Sequence, residues 1–249
     1  KPCFDKIAAE VSPAIPAPTT TTSDLLIKMQ KLSPFEVSEI CDELGDNQNA
    51  VVLSGDLTTS CEIDEFRSAY PERFISLGLM EKNMMSFAAG LAREGLLPLV
   101  HTFSVFMYRR ALDQIEMSIA YPNLPVKIFG FLPGVTTPGG ASHQALNDIA
   151  VMRSLPNMSI IETGDATDVE NVLEISKNIN GPVYIRMIRG EIPRLFPKEN
   201  PTVFCESRKL SEGNDIALLT SGICTEESLM VTNQLREKGI TIQHLHITT

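Results

Sequence analysis

Glu81, Phe103, Phe106 and His143 are the residues whose types and positions invite chemistry. Glu81 stands in ISLGLMEKNMM (75–85), where the alternating run Ile75, Leu77, Leu79 meets a helical apolar stripe of Met84, Met85, Ala88 and Leu91. A glutamate in a first helical turn is ordinarily a solvated group that answers the helix dipole. Drawn out of water at a strand tip, it is instead a carboxyl able to hold and pass a proton near neutral pH. Phe103 and Phe106, with Tyr108 nearby, follow an apolar run. Each is core packing by default, yet an aromatic at a strand's carboxyl end also offers a face to a flat heterocycle. His143 closes the loop PGGASH. It is either the neighbour of a helix-capping Ser142 or an acid, base or oxyanion partner at the mouth of a cleft. Arg189 and Arg194 flank the end of a later strand, where a fork of donors suits phosphate or sulfonate. Asp56, Ser60, His101, Arg109 and Arg110 are further polar groups near strand ends. His244 and His246 alternate along one strand face and are not placed as a metal pair.

The bulk properties exclude several classes. A chain of 249 residues, 43% hydrophobic and 21% charged, is a globular protein with room for a sizeable core. Its net charge of −10 argues against general nucleic-acid binding, which needs clustered cations. Five scattered cysteines without a C-x-x-C pair predict reduced thiols in a cytoplasmic protein rather than a disulfide framework or zinc site. No apolar run approaches the roughly 18 residues of a membrane span, and no signal-peptide core is present at the N-terminus. The chain opens on Lys1, so its start is expected to lie upstream. No P-loop, GxGxxG after the first strand, nucleophile elbow or HExxH motif occurs.

The elements that must position these residues follow a rhythm. Residues 1–23, with PAIPAPTTTTS, read as an extended arm, and helices are expected near 24–32 and 34–46. Strands are predicted at 50–56, 74–78, 97–103, 126–131, 158–163 and 182–188, with helices at about 81–94, 105–120, 144–153 and 167–179. Short, doubly apolar strands alternating with amphipathic helices define an α/β fold: a parallel sheet covered by helices on both faces. Ligands gather at the carboxyl ends of such strands, so Glu81, Phe103 and the 132–143 loop should share one rim. A domain over 24–190, a proline-punctuated linker over 191–213 and the incomplete start of a second α/β domain over 214–249 complete the predicted organisation.

GDLTTS (55–60), SLGLMEKNMMSFAAGLAREGLLPLVHTFSVFMYRRALDQI (76–115) and GVTTPGGASHQALNDIAVMRSLPNM (134–158) together resemble the transketolase family, closest to the C-terminal subunit of two-subunit transketolases. The resemblance implies a thiamin diphosphate pyrimidine-binding domain. It implies that Glu81 bonds the aminopyrimidine ring nitrogen and so activates the cofactor, which then serves as electron sink. Phe106 matches the aromatic that stacks on the pyrimidine, with Phe103 beside it, and Asp56 and Leu57 match residues lining the cofactor. His143 matches a histidine that contacts the substrate or the reacting oxygen. Ser60 and Arg189 match sugar-phosphate contacts, and His101 joins them as a candidate substrate contact. The implied activity is transfer of a two-carbon ketol unit from a ketose to an aldehyde. Because ALDQI (111–115) echoes 2-oxo-acid dehydrogenase beta subunits and deoxyxylulose-phosphate synthase, those activities are the alternative, as is a non-catalytic assembly subunit of this fold.

Two departures bear on substrate. The family's usual Gly-Glu-Asp-Gly is Thr137-Pro138-Gly139-Gly140 here, so Gly139 replaces an aspartate that reads a substrate hydroxyl. Phe131 stands where a phosphate-binding histidine is common. The substrate is therefore expected to differ from the common pentose phosphates. GDL at 55–57 is not the Gly-Asp-Gly start of a thiamin diphosphate metal motif. No metal ligand is thus assigned to this chain; Mg2+ or Ca2+ and the diphosphate fall to a partner, an N-terminal transketolase subunit, in an α2β2 assembly.

Overall fold

A computed structural model describes residues 47–249. The arm expected at 1–23 and the helices expected near 24–32 and 34–46 lie outside the described residues. Internal contacts divide the described chain into two units. One holds the residues up to Ile161 together with Val172–Gly190, and the other holds Glu162–Asn171 with Glu191–Thr249. The second unit thus takes in a segment from inside the stretch 24–190.

The first unit is built on β1 (Ala50–Ser54), β2 (Phe74–Ser76), β3 (Leu97–Phe103), β4 (Lys127–Phe131), β5 (Ser159–Glu162) and β6 (Val183–Met187). They form a six-stranded sheet in the order β2-β1-β3-β4-β6-β5. All five residues of β1 and of β4 are buried, so side chains on both faces of the sheet are covered. β1 pairs in parallel with β2 on one side and β3 on the other. The chain steps one way from β1 to β2 and the other way to β3, which makes the crevice between β1 and β3 a topological switch point.

Helices α1 (Asp64–Ala69), α2 (Glu81–Arg93), α3 (Ser104–Arg110), α4 (Asp148–Arg153) and α5 (Ala166–Lys177) connect the strands. In α2, Met84, Met85, Ala88, Ala89 and Ala92 recur at helical spacing and are buried. Gly95, at φ +87°, stops the helix with a bond from Leu96 N to Leu91 O of 3.1 Å. The single helix expected at 105–120 is broken: α3 ends at Ala111 (φ −124°, ψ 17°), and Ile115–Ala120 winds as a π-helix. The helix expected from 144 begins only at Asp148, because Gly134 and Ala145 exchange backbone bonds of 2.9 and 3.0 Å that hold the preceding residues in a loop.

Tyr184 Oη and Arg186 Nε, on β6, donate to the buried Asp148 carboxylate at the start of α4, at 2.7 and 2.8 Å. Gly130 makes room for this group and for the start of α3. A Cβ there would stand 2.7 Å from Ser104 Oγ and 2.8 Å from the Tyr184 ring.

In the second unit β7 (Ser207–Ser211), β8 (Ile216–Thr220) and β9 (Ile242–Ile247) form a sheet in the order β7-β9-β8, with α6 (Cys224–Glu237) between β8 and β9. β7 is antiparallel to β9 and was not predicted; the segment read as linker folds as an edge strand. SRKLS lacks apolar alternation because an edge strand buries little. His244 and His246 are both fully buried. His246 Nε2 meets Asp168 Oδ2 at 2.9 Å and its Nδ1 meets Thr225 Oγ1 at 2.8 Å, while His244 Nε2 meets Thr220 Oγ1 at 2.8 Å. Burial pushes the Asp168 carboxyl up, but His246, Thr202 and Arg208 outweigh it and hold the group below its usual range.

Cys61 and Cys224 are free thiols. Cys205 is disulfide-bonded, which corrects the expectation of reduced thiols throughout. No helix among the described residues is long and apolar enough to cross a membrane.

Gly130→Ala should destabilise the chain by about 1–3 kcal/mol through overpacking, read as a lower urea midpoint with an unchanged slope.

Candidate active site

Glu81 is the first residue of α2, and its side chain is 3% exposed. Its position follows from the chain before it: β2 ends at Ser76, Gly78 turns with φ +69°, and Met80 enters the helix. A buried carboxylate without a partner costs several kcal/mol. Arg110 Nη1 supplies that partner, donating to Glu81 Oε1 at 2.6 Å.

Arg110 also lies over an aromatic face. Its guanidinium carbon is 3.9 Å from the centroid of the Phe106 ring. Phe106 and Arg110 are four residues apart on α3 and therefore share a face of it. Phe103, the last residue of β3, lies nearly parallel to Phe106, with centroids 5.7 Å apart and planes at 24°. His143 meets the Phe106 ring edge-on at 5.4 Å. Glu81, Arg110, Phe106, Phe103 and His143 thus form one continuous group at the carboxyl end of the sheet.

The loop carrying His143 is fixed from several sides. The Gly134–Ala145 bridge closes its base, and His143 N donates to Gly140 O at 2.9 Å. Arg109 Nη1 donates to Ala141 O at 3.1 Å, and Arg109 Nε to Tyr108 Oη at 2.9 Å. His143 Nδ1 lies 2.9 Å from Ser142 Oγ. Ser142 therefore engages the imidazole, and the N-cap position of α4 belongs to Asn147. A Cβ on Gly139 would stand 2.8 Å from His143 Cγ. Only glycine leaves the imidazole room to lie against Phe106.

Beside Glu81 opens a cleft of about 530 Å³, lined by Leu79, Met80, Lys82, Asn83 and the two arginines Arg109 and Arg110. Leu79 and Met80 are 65% and 54% exposed, leaving an apolar lip next to a buried charge.

The other expected residues sort by position. Asp56 is exposed with φ +64°, directly after β1 and Gly55, and Leu57 is half-buried behind it. Ser60 lies in a short turn at Thr59–Cys61. Gly190 N donates to Glu62 Oε1 at 3.0 Å, bringing the end of β6 to this turn. Arg189 is exposed there; burial pushes the Cys61 thiol up, and the Arg189 charge acts in the opposite direction. Ser60 and Arg189 are thereby on neighbouring loops.

His101 does not join the group. His101 is 5% exposed and stacks on Phe129 at 4.6 Å with planes 2° apart. Burial lowers its pKa to about 4, so it is a neutral core residue and not a lining of the cleft at Glu81. Arg194, considered for phosphate, is consumed internally: it pairs with Glu170, with Nη1 2.9 Å from Oε2, and bonds Thr167 Oγ1 at 2.9 Å. What the sequence did not show is the Arg110–Glu81 contact and the packing of Gly139 on His143. The four-residue spacing of Phe106 and Arg110 was the available signal for the first.

A parallel sheet covered on both faces thus carries a buried glutamate and two aromatic faces beside its switch point. The family described as transketolase, pyrimidine binding domain, matches residues 35–194. The protein y4mN of Sinorhizobium fredii, assigned to the transketolase family, is 37% identical over 238 residues, covering 93% of this chain and 69% of that protein. The 6-deoxy-6-sulfo-D-fructose transketolase subunit SqwH of Clostridium sp. is 34% identical over 200 residues, 80% of this chain and 62% of that one. A solved split-gene transketolase, an inactive β4 tetramer, superposes with a TM-score of 0.78 at 36% identity, covering 86% of this chain and 70% of its own. This chain belongs to the transketolase family.

The placement of His101 has a measurable consequence. With a folded pKa of about 4 against an ordinary 6.5, the unfolded chain binds the extra proton between those values. Stability therefore falls as pH drops from 6.5 to 4 and is level in this respect above 6.5. His101→Phe should remove up to about 3 kcal/mol of that acid-induced loss, read as a flatter dependence of the urea midpoint on pH. The substrate KM should stay unchanged.

Proposed function

We propose that this chain is the pyrimidine-binding subunit of a thiamin diphosphate-dependent transketolase, transferring a two-carbon ketol unit from a ketose donor to an aldehyde acceptor. The observation that carries this is the buried Glu81 carboxylate beside the face of Phe106. A carboxylate and an aromatic face fit an aminopyrimidine: the carboxylate suits a ring nitrogen, and the ring face suits a flat, electron-poor heterocycle. Phe103, Asp56 and Leu57 complete the wall. When bound, thiamin diphosphate supplies a carbon nucleophile and an electron sink.

This chain's own residues then have distinct tasks. Glu81 holds and passes a proton at the ring nitrogen. His143, steadied by Ser142 and given room by Gly139, faces the reacting oxygen of the substrate and donates to it as charge develops. Ser60 and Arg189, on adjacent loops, hold the anionic end of the substrate.

The diphosphate and its Mg2+ or Ca2+ belong to a partner, an N-terminal transketolase subunit, in an α2β2 assembly in the cytoplasm. The name of the Clostridium relative, a transketolase subunit, supports a partner chain. Gly139 supports a substrate unlike the common pentose phosphates. A carboxylate at that position would have to displace His143, so a hydroxyl normally read there goes unread.

In the assembled complex, Glu81→Ala should lower kcat by about 10²–10⁴-fold, with KM for the ketose little changed. An unchanged rate would remove Glu81 from the chemistry. Xylulose 5-phosphate with ribose 5-phosphate should be a poor substrate pair, and efficient turnover of it would contradict the substrate assignment.

A further inference from the structure

Resting on the reading of the site above, we infer that Arg110 is a self-ligand of the pyrimidine pocket, whose guanidinium must swing out before a ring can bind. Its two contacts are those that an aminopyrimidine needs: a hydrogen bond to Glu81 Oε1 at 2.6 Å and a place over the Phe106 face, 3.9 Å from its centroid. A flat ring that both stacks on Phe106 and bonds the Glu81 carboxylate must fill the space between them. The guanidinium is itself flat, is a donor, and spans that space. The two occupants exclude each other.

The contact is arranged to open. Glu81 is 3% exposed, whereas the Arg110 side chain is 45% exposed, so the charge that has to move is already half in water. Arg110 closes α3, and the backbone beyond it is held by a bond from Ala111 N to Met107 O of 3.0 Å. Only the side chain has to rotate. Its neighbour Arg109 is occupied with Tyr108 Oη and Ala141 O, so one arginine anchors the His143 loop and the other covers the pocket. In the covered arrangement the buried carboxylate keeps a partner, and an entering ring replaces that partner instead of finding a bare charge. Apparent cofactor affinity is then the intrinsic affinity reduced by the fraction of pockets uncovered.

Isothermal titration of thiamin diphosphate into the complex of this chain with its diphosphate-binding subunit tests this without reference to turnover. Arg110→Ala should tighten the dissociation constant by about 3- to 30-fold, the factor expected if the pocket is covered most of the time. In a Glu81→Ala background, where the cover is no longer held, the same change should alter it by less than about 2-fold. Should Arg110→Ala fail to fold, Arg110→Lys keeps the charge without the flat group and should still tighten binding. Unchanged or weaker binding by these variants overturns the inference and makes Arg110 a support of the bound ring or a bystander. A wild-type complex that binds no thiamin diphosphate would instead remove the cofactor reading itself.

Discussion

A carboxylate held at 3% exposure needs partners, and the pyrimidine-binding unit is organised around supplying them to Glu81. Burial of a charge is tolerated only with matched hydrogen bonds. Here the match comes from α3, which leaves the rim at the end of β3, the neighbour of β1 on the side away from β2. The switch point thus brings together the start of α2, carrying Glu81, and the face of α3, carrying Phe106 and Arg110. Gly130 lets α3 begin against β4 and Tyr184 without strain. A shift in any of these would leave the buried charge unmatched.

The second constraint is steric and falls on the loop opposite. His143 can lie against Phe106 only because Gly139 has no Cβ. A side chain at 139 would meet the imidazole at 2.8 Å, so the loop gives that space to His143. The loop backbone is held by the Gly134–Ala145 bridge and by Arg109. The backbone around His143 is thus tied at several points, whereas the Arg110 side chain against Glu81 and Phe106 is 45% exposed.

Much of this was legible in the sequence, for physical reasons that differ by element. Doubly buried strands such as AVVLS and KIFGF have no polar face and announce a covered parallel sheet. The Met84, Met85, Ala88 stripe fixes α2 to within a residue. β7 was missed because an edge strand needs no apolar alternation. The sequence over 105–120 reads as one continuous helix because Ala111 carries no breaker signal, yet the helix breaks there. The sequence offers His101 as a substrate contact because it lies near a strand end, while its stacking on Phe129 depends on the register of β3 against β4, where the two residues are partners. Glu81 and Phe106 stand out by type and position, but the arginine they share lies 29 residues from Glu81 and is visible only in three dimensions.

The most direct test of the central claim is a crystal structure of the assembled complex with thiamin diphosphate bound, at a resolution that shows the pyrimidine ring. It should place a Glu81 carboxylate oxygen within hydrogen-bond distance of the ring nitrogen, the Phe106 face under the ring, and the Arg110 guanidinium outside the space it spans here. A pyrimidine ring bound away from Glu81, or held wholly by the partner subunit, would contradict it.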